Sequence, residues 1–283
     1  MTYETISIEQ RGPVDWLTLN RPDALNSINN QMVADLSDYF GRLFNARHTR
    51  IVVMKGAGRA YCAGLDIKAQ GTQEAPFAGG FGFQGFLADV YIKMRRCPQP
   101  IIAAVQGAAC GGGFAFALAA DIRIAGESAR MNAAFIRLGL SACDMGVSYF
   151  LPRLVGVSLA SELMLTGRFI DARRALATGL VSEVVADDQL DAAAQSYVDD
   201  MLLASPMGLR MTKEQIAALD VQVVAQDDAA KAQVGLHVEQ AAVVAIADQL
   251  RPKRHDLHVA ACPSARDGVF AKRAFNLHHA QHQ

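Results

Sequence analysis

The stretch "AACGGGFAFALAADIRIA", residues 108–125, decides how this chain folds. Gly111, Gly112 and Gly113 stand together at the mouth of a strongly apolar segment. Glycine there costs backbone entropy and adds no packing, so three in a row imply that something approaches the main chain closely. The run "GGFAFALAA" begins a helix, and "DIRIAG" is a short apolar strand closed by glycine.

The same grammar recurs on either side. "IVVMKGAG" and "IIAAVQG" are apolar runs closed by glycine, and "TISIEQ" with "VDWLTLN" has the two-residue period of a hairpin around Arg11, Gly12 and Pro13. Between them, "NNQMVADLSDYFGRLFNARH" and "GFLADVYIKMRRC" carry apolar residues at helical spacing. Repeated strand-helix-strand units predict an α/β core with right-handed crossovers. After Asp144 the texture changes to Ala- and Leu-rich helical patterns with one short strand, "LVSEVV". Residues 1–200 therefore read as the core, and residues 201–283 as a helical C-terminal region with a divergent tail. Helices with so many apolar faces cover the core or pack against another subunit.

A chain of 283 residues with 51% hydrophobic and 19% charged residues can bury a large core. Its formal net charge of -1, without a basic block, gives no electrostatic reason for nucleic acid or an anionic membrane as partner, which points to a small ligand. "MTYETISIEQRG" lacks the pattern of a signal peptide and no apolar run is long enough to span a bilayer, so a cytoplasmic protein is expected. Five cysteines, an odd number, argue against a disulfide framework. Cys62, Cys110 and Cys143 lie in the motifs below, where a thiol nucleophile competes with the reading of small buried hydrophobes. In the tail, His255 and His258 are spaced i, i+3 and His278, His279 and His282 cluster, but no Cys or carboxylate arrangement completes a metal site. Residues 71–86 combine five glycines with four phenylalanines, which suits either a loop closing apolar rings over a ligand or a surface insertion.

The chemistry lies in a second glycine segment. "GAGRAYCAGLDIK", residues 56–68, follows the strand "RIVVMK" as residues 107–113 follow "IIAAVQ". Two such junctions can converge, and one backbone N–H from each, aimed at a single point, makes an oxyanion hole without polar side chains. The positive N-terminal end of the helix that follows Gly111 adds to the same field. Each motif alone could also be a glycine-rich turn packed tightly for its own sake.

Taken in order and spacing, "LNRPDALNSIN", "GAGRAYCAGLDIK", "PIIAAVQGAACGGGFAFALAADIRIA" and "LVGVSLASELMLTGRFIDARRALATGLVSEVV" resemble the enoyl-CoA hydratase/isomerase (crotonase) superfamily over residues 3–206. The resemblance implies a spiral of β-β-α turns and a helical C-terminal region that makes trimers, often as dimers of trimers. It implies an acyl-CoA thioester as ligand, with coenzyme A part of the substrate and no separate cofactor. It also implies that the N–H groups of Ala63 and Gly112 hold the thioester oxygen. Ala24 and Leu25, the segment Ala63, Gly64, Leu65 and Asp66, and Gly111 would line the path of the substrate and its pantetheine. Asp66, just after the turn, also reads as a helix cap.

The departures from the family pattern are as informative. Hydratases of the family place one glutamate two residues after the glycine triplet and a second in the segment matching "MNAAFIRLG", where this chain has Ala115 and Phe135. Neither can transfer a proton, so the usual two-glutamate mechanism is closed to it. One acid remains: Asp144, in "LSACDMGVSYFLPRLVG", from a position where some members present a carboxylate. Asp144, Ser148, Tyr149, Leu151 and Arg153 also match the D-x-x-x-S-Y-x-L pattern of 4-chlorobenzoyl-CoA dehalogenases, whose tryptophan eight residues earlier is Ile136 here. Asp144 is therefore the candidate sole acid/base for an enoyl-CoA double-bond shift or hydration. The alternatives are a hydrolytic or covalent role, a plain helix cap, or a binding protein that has lost catalysis.

Overall fold

The computed structural model describes residues 2–67, 80–139 and 144–217, with residues 80–84 and 144 described by their backbone alone. All described residues belong to one compact unit. The expected tail, its histidines, Cys143 and most of residues 71–86 lie outside the described residues.

The large sheet holds β1 (Ile6–Arg11), β2 (Val14–Leu19), β3 (Ile51–Gly56), β4 (Ile101–Val105), β6 (Ile122–Gly126) and β9 (Glu183–Val185), in that order across it. The β1–β2 hairpin is antiparallel and every other pair is parallel. Its parallel strands are buried on both faces, which explains their nearly unbroken apolar runs. Val52, Met54, Ile101 and Ala103 point into one core, while Val53, Ile102, Ala104 and Ile124 point into a second one, closed by Leu190, Ala194 and Val198.

A smaller sheet joins β5 (Ala108–Cys110), β7 (Arg130–Asn132) and β8 (Ile170–Asp171). Isolated bridges Cys62↔Ala109 and Ile28↔Leu65 extend this layer through the residues that follow β3 and β2. Each turn thus places one strand in the large sheet, returns through an extended segment in the second layer, and continues into a helix. The helices are α1 (Asn30–Leu43), α2 (Gly80–Arg96) and α3 (Gly112–Ala119), followed by α4 (Val147–Thr166), α5 (Ala172–Ala177), α6 (Leu190–Leu203) and α7 (residues 206–217). This is the expected β-β-α spiral.

Two differences from the sequence reading have local causes. Residues 80–86, expected to be part of a loop, are the first turns of α2, so the aromatic and glycine content there did not stop the helix. Strands β5, β7 and β8 are three residues or shorter, too short to show any period in the sequence. α4 is interrupted at Gly156, where φ is +78°. α7 is fastened by the buried Lys213, whose ammonium donates to Met94 O (3.0 Å) and Gln99 O (2.8 Å) and pairs with Asp121 (2.9 Å).

Candidate active site

The two glycine segments meet as the sequence suggested. Cys62 N–H donates to Ala108 O and Cys110 N–H to Cys62 O, each at 3.0 Å, so the stretch after β3 runs parallel to β5. Gly113 must be glycine because a Cβ there would collide with the Cys62 carbonyl oxygen and lie 2.7 Å from Cys62 Cβ. That contact places the first turn of α3 against the residues after β3.

Which N–H groups face the junction is decided by peptide orientation, and here one expectation is corrected. Ala63 N–H donates to Leu25 O at 3.0 Å, so it points away from α3 and already has its acceptor. Beyond it the chain turns at Gly64, with φ +97°, and the Gly64 carbonyl accepts from Ile28 N–H at 2.7 Å. In a trans peptide the N–H lies opposite the carbonyl. Leu65 N–H therefore faces the other side, where a Cβ on Gly64 would stand 2.8 Å from Cys110 O and 3.9 Å from Gly112 N. Gly112 is the first residue of α3, so its N–H has no acceptor within the helix. Among the described residues no backbone hydrogen bond uses either N–H. The two free donors at the junction belong to Leu65 and Gly112.

The surroundings hold this pair in place. Asn26 is fully buried and its amide nitrogen donates to Ala57 O and Ala60 O, each at 2.8 Å, fixing the segment around Ala24 and Leu25 against the loop after β3. Arg21 pairs with Asp66 at 2.8 Å. That partly buried ion pair is a role the helix-cap reading of Asp66 did not foresee, because the partners are 45 residues apart. At the other end of α3, the buried Arg123 guanidinium donates to Ala120 O at 2.7 Å and to Leu180 O at 2.9 Å. Burial lowers its pKa to about 10, and it serves the buried carbonyl end of a helix whose amide end faces the site.

Residues 9–245 match the family profile of enoyl-CoA hydratase/isomerase. The chain belongs to that family. A probable enoyl-CoA hydratase of Mycobacterium tuberculosis is 39% identical over 221 residues, covering 76% of this chain and 78% of that protein. The (E)-benzylidenesuccinyl-CoA hydratase of Thauera aromatica is 34% identical over 74% of this chain and 80% of its own length. Among solved structures, a monofunctional enoyl-CoA isomerase from M. smegmatis superposes with a TM-score of 0.66 at 36% identity, covering 76% of this chain and 93% of its own. The fold is therefore that of the crotonase superfamily.

Within this enoyl-CoA hydratase/isomerase member, the two residues that the resemblance sets at the glutamate positions, Ala115 and Phe135, are buried and apolar. Ala115 is fully buried in α3, and Phe135, 2% exposed, sets its ring 3.6 Å from where a Gly111 Cβ would be. Asp144 opens the single turn Asp144–Gly146, which packs on α2 and α3 immediately before α4; its side chain lies outside the description. Met145, next to it, is buried at φ +56°. Burial pushes the Cys62 thiol up to about 12 and the Cys110 thiol up to about 11, which speaks against a thiolate nucleophile at either. Among the described residues no three His, Cys, Asp or Glu side chains are grouped to hold a metal ion, and no helix is long and apolar enough to cross a membrane.

Proposed function

We propose that this enzyme binds an enoyl-CoA thioester with its carbonyl oxygen between the N–H groups of Leu65 and Gly112, and shifts protons beside that carbonyl with Asp144 as sole acid/base. The observation that carries the reading is the pair of unsatisfied N–H groups converging at the N-terminus of a wholly buried helix. Ala24, Leu25, Gly64, Asp66 and Gly111 line the approach of the substrate and its pantetheine. With the oxygen held, loss of a proton from the carbon chain puts negative charge on that oxygen, where fixed donors stabilise it most. Asp144 takes that proton and returns it to another carbon of the same conjugated system, so the double bond moves and no atom is gained or lost. A single carboxylate suffices, which fits the alanine and phenylalanine at the glutamate positions. Hydration would also need water to be activated as well as a proton delivered, a second function for the same group.

The second reading, an acyl-CoA binder without turnover, is favoured by the burial of Ala115 and Phe135. Calorimetry against a panel of enoyl-CoA thioesters, followed by product analysis, tests both. Saturable binding with isomerised product is expected, and Gly112→Pro, which deletes a donor, should lower kcat/KM by about 10²–10³-fold. Binding without any product would favour the binder, and no saturable binding would overturn the reading altogether. The assembly belongs to the same proposal: a homotrimer or dimer of trimers, supported by the apolar side chains that α4 and α6 leave exposed, Val157, Leu165 and Leu203 among them.

A further inference from the structure

A cavity of about 500 Å³ opens between α2, the turn Asp144–Gly146 and α4. Its walls come from α2 (Tyr91, Arg95 and Arg96), from the turn after Asp144 (Met145) and from α4 (Tyr149 and Phe150). Tyr91, one of its lining residues, joins it to the junction described above. The Tyr91 hydroxyl donates to Gly112 O at 3.0 Å and stands 3.3 Å from where a Gly112 Cβ would be. Met145 is the residue that follows Asp144. A chain whose thioester oxygen lies at Gly112 therefore has this cavity next to it.

The lining has a distinct chemistry. Tyr149 and Phe150 meet edge to face, with centroids 5.2 Å apart, and Tyr91 lies 4.9 Å from the Phe116 ring. Rings and a methionine sulfur make a surface suited to another ring, through offset and edge contacts that an alkyl chain does not gain. Its two charged lining residues are both arginines; no acidic residue lines it among those described. Arg95 is committed to Asp121 at 2.9 Å and stands 5.9 Å from the Phe150 centroid. Arg96 is exposed, and among the described residues no carboxylate lies within ion-pair distance of it. An apolar cavity with an uncommitted guanidinium at its edge is complementary to an apolar group ending in an anion, and a guanidinium fits a carboxylate in particular.

We propose that this cavity receives the acyl group and selects one that bears an aryl ring with a carboxylate at its outer end, the ring against Tyr149 and Phe150 and the carboxylate met by Arg96. The inference rests on the enoyl-CoA reading above and adds the substrate class. It is tested by calorimetry with crotonyl-CoA, 2-octenoyl-CoA, cinnamoyl-CoA and 4-carboxycinnamoyl-CoA, on the wild type and on Arg96→Met. Cinnamoyl-CoA should bind about tenfold tighter than 2-octenoyl-CoA. The added carboxylate should tighten binding a further threefold or more at low salt, an increment that fades as salt is raised. Arg96→Met should abolish that increment and leave crotonyl-CoA affinity unchanged. Equal affinity for the octenoyl and cinnamoyl thioesters, or a carboxylate increment that is missing or survives Arg96→Met, would overturn the proposal while crotonyl-CoA binding leaves the parent reading standing. Failure of all four thioesters to bind would instead remove the parent reading, and this one with it.

Discussion

At the residue scale the site turns on the peptide between Gly64 and Leu65. Sequence spacing brings the two glycine segments together, but it does not say which N–H faces the gap. That depends on Leu25 accepting from Ala63 and on the positive φ of Gly64, neither of which has a one-dimensional signature. Gly64→Ala would strain that φ and press a methyl against Cys110 O, turning the Leu65 N–H out of line. A loss of about 10²-fold in kcat/KM is expected, with a smaller fall in Tm, by steady-state kinetics and thermal melting. The cysteines give a prediction with a pH sign. Cys62 keeps its proton in the folded protein up to about 12, whereas the unfolded chain releases it near 9.0. The folded state thus binds the extra proton above pH 9.0, so this contribution to stability is complete below that pH and is lost as pH rises towards 12. Urea midpoints should fall between pH 8.5 and 10.5, less so in Cys62→Ala relative to its own starting point, and iodoacetamide at pH 8 should label Cys62 only after unfolding.

At the scale of elements, the long helices and the strands of the large sheet were legible because their burial imposes a period on the sequence. The β1–β2 hairpin, α1 and the glycine-closed strands all appear near their expected places. The short strands of the second layer were not legible, since a stretch such as "RMN" has no room for a pattern. Long-range polar ties were equally silent. Asp121 accepts from Ile101 N–H at 2.8 Å while pairing with both Arg95 and Lys213, so one carboxylate joins α2, β4 and α7. Asp121→Asn would leave the Lys213 ammonium, 5% exposed, without its counter-charge. Chemical denaturation should show a loss of about 3 kcal/mol or more. An unchanged midpoint would mean that the carbonyls of Met94 and Gln99 hold Lys213 by themselves.

For the molecule as a whole, the spiral was readable from the repeated units and the family resemblance, and what the sequence lacked was as telling as what it had. That Ala115 and Phe135 carry no carboxylate is visible in one dimension, while their burial, Ala115 within α3 and the Phe135 ring against Gly111, emerges only from packing. Sedimentation is expected to give a trimer or hexamer, and a stable monomer at micromolar concentration would contradict the assembly proposed from the exposed faces of α4 and α6. The central claim, that one fold with one acid moves protons beside a held thioester, is tested most directly by deuterium exchange. A bound enoyl-CoA is followed by NMR in deuterated buffer on the wild type and on Asp144→Asn, with affinity measured in parallel. The account predicts exchange into the carbons of the conjugated system by the wild type, slowed about 10²-fold or more in the variant at nearly unchanged affinity. Exchange at the same rate in both proteins would contradict it.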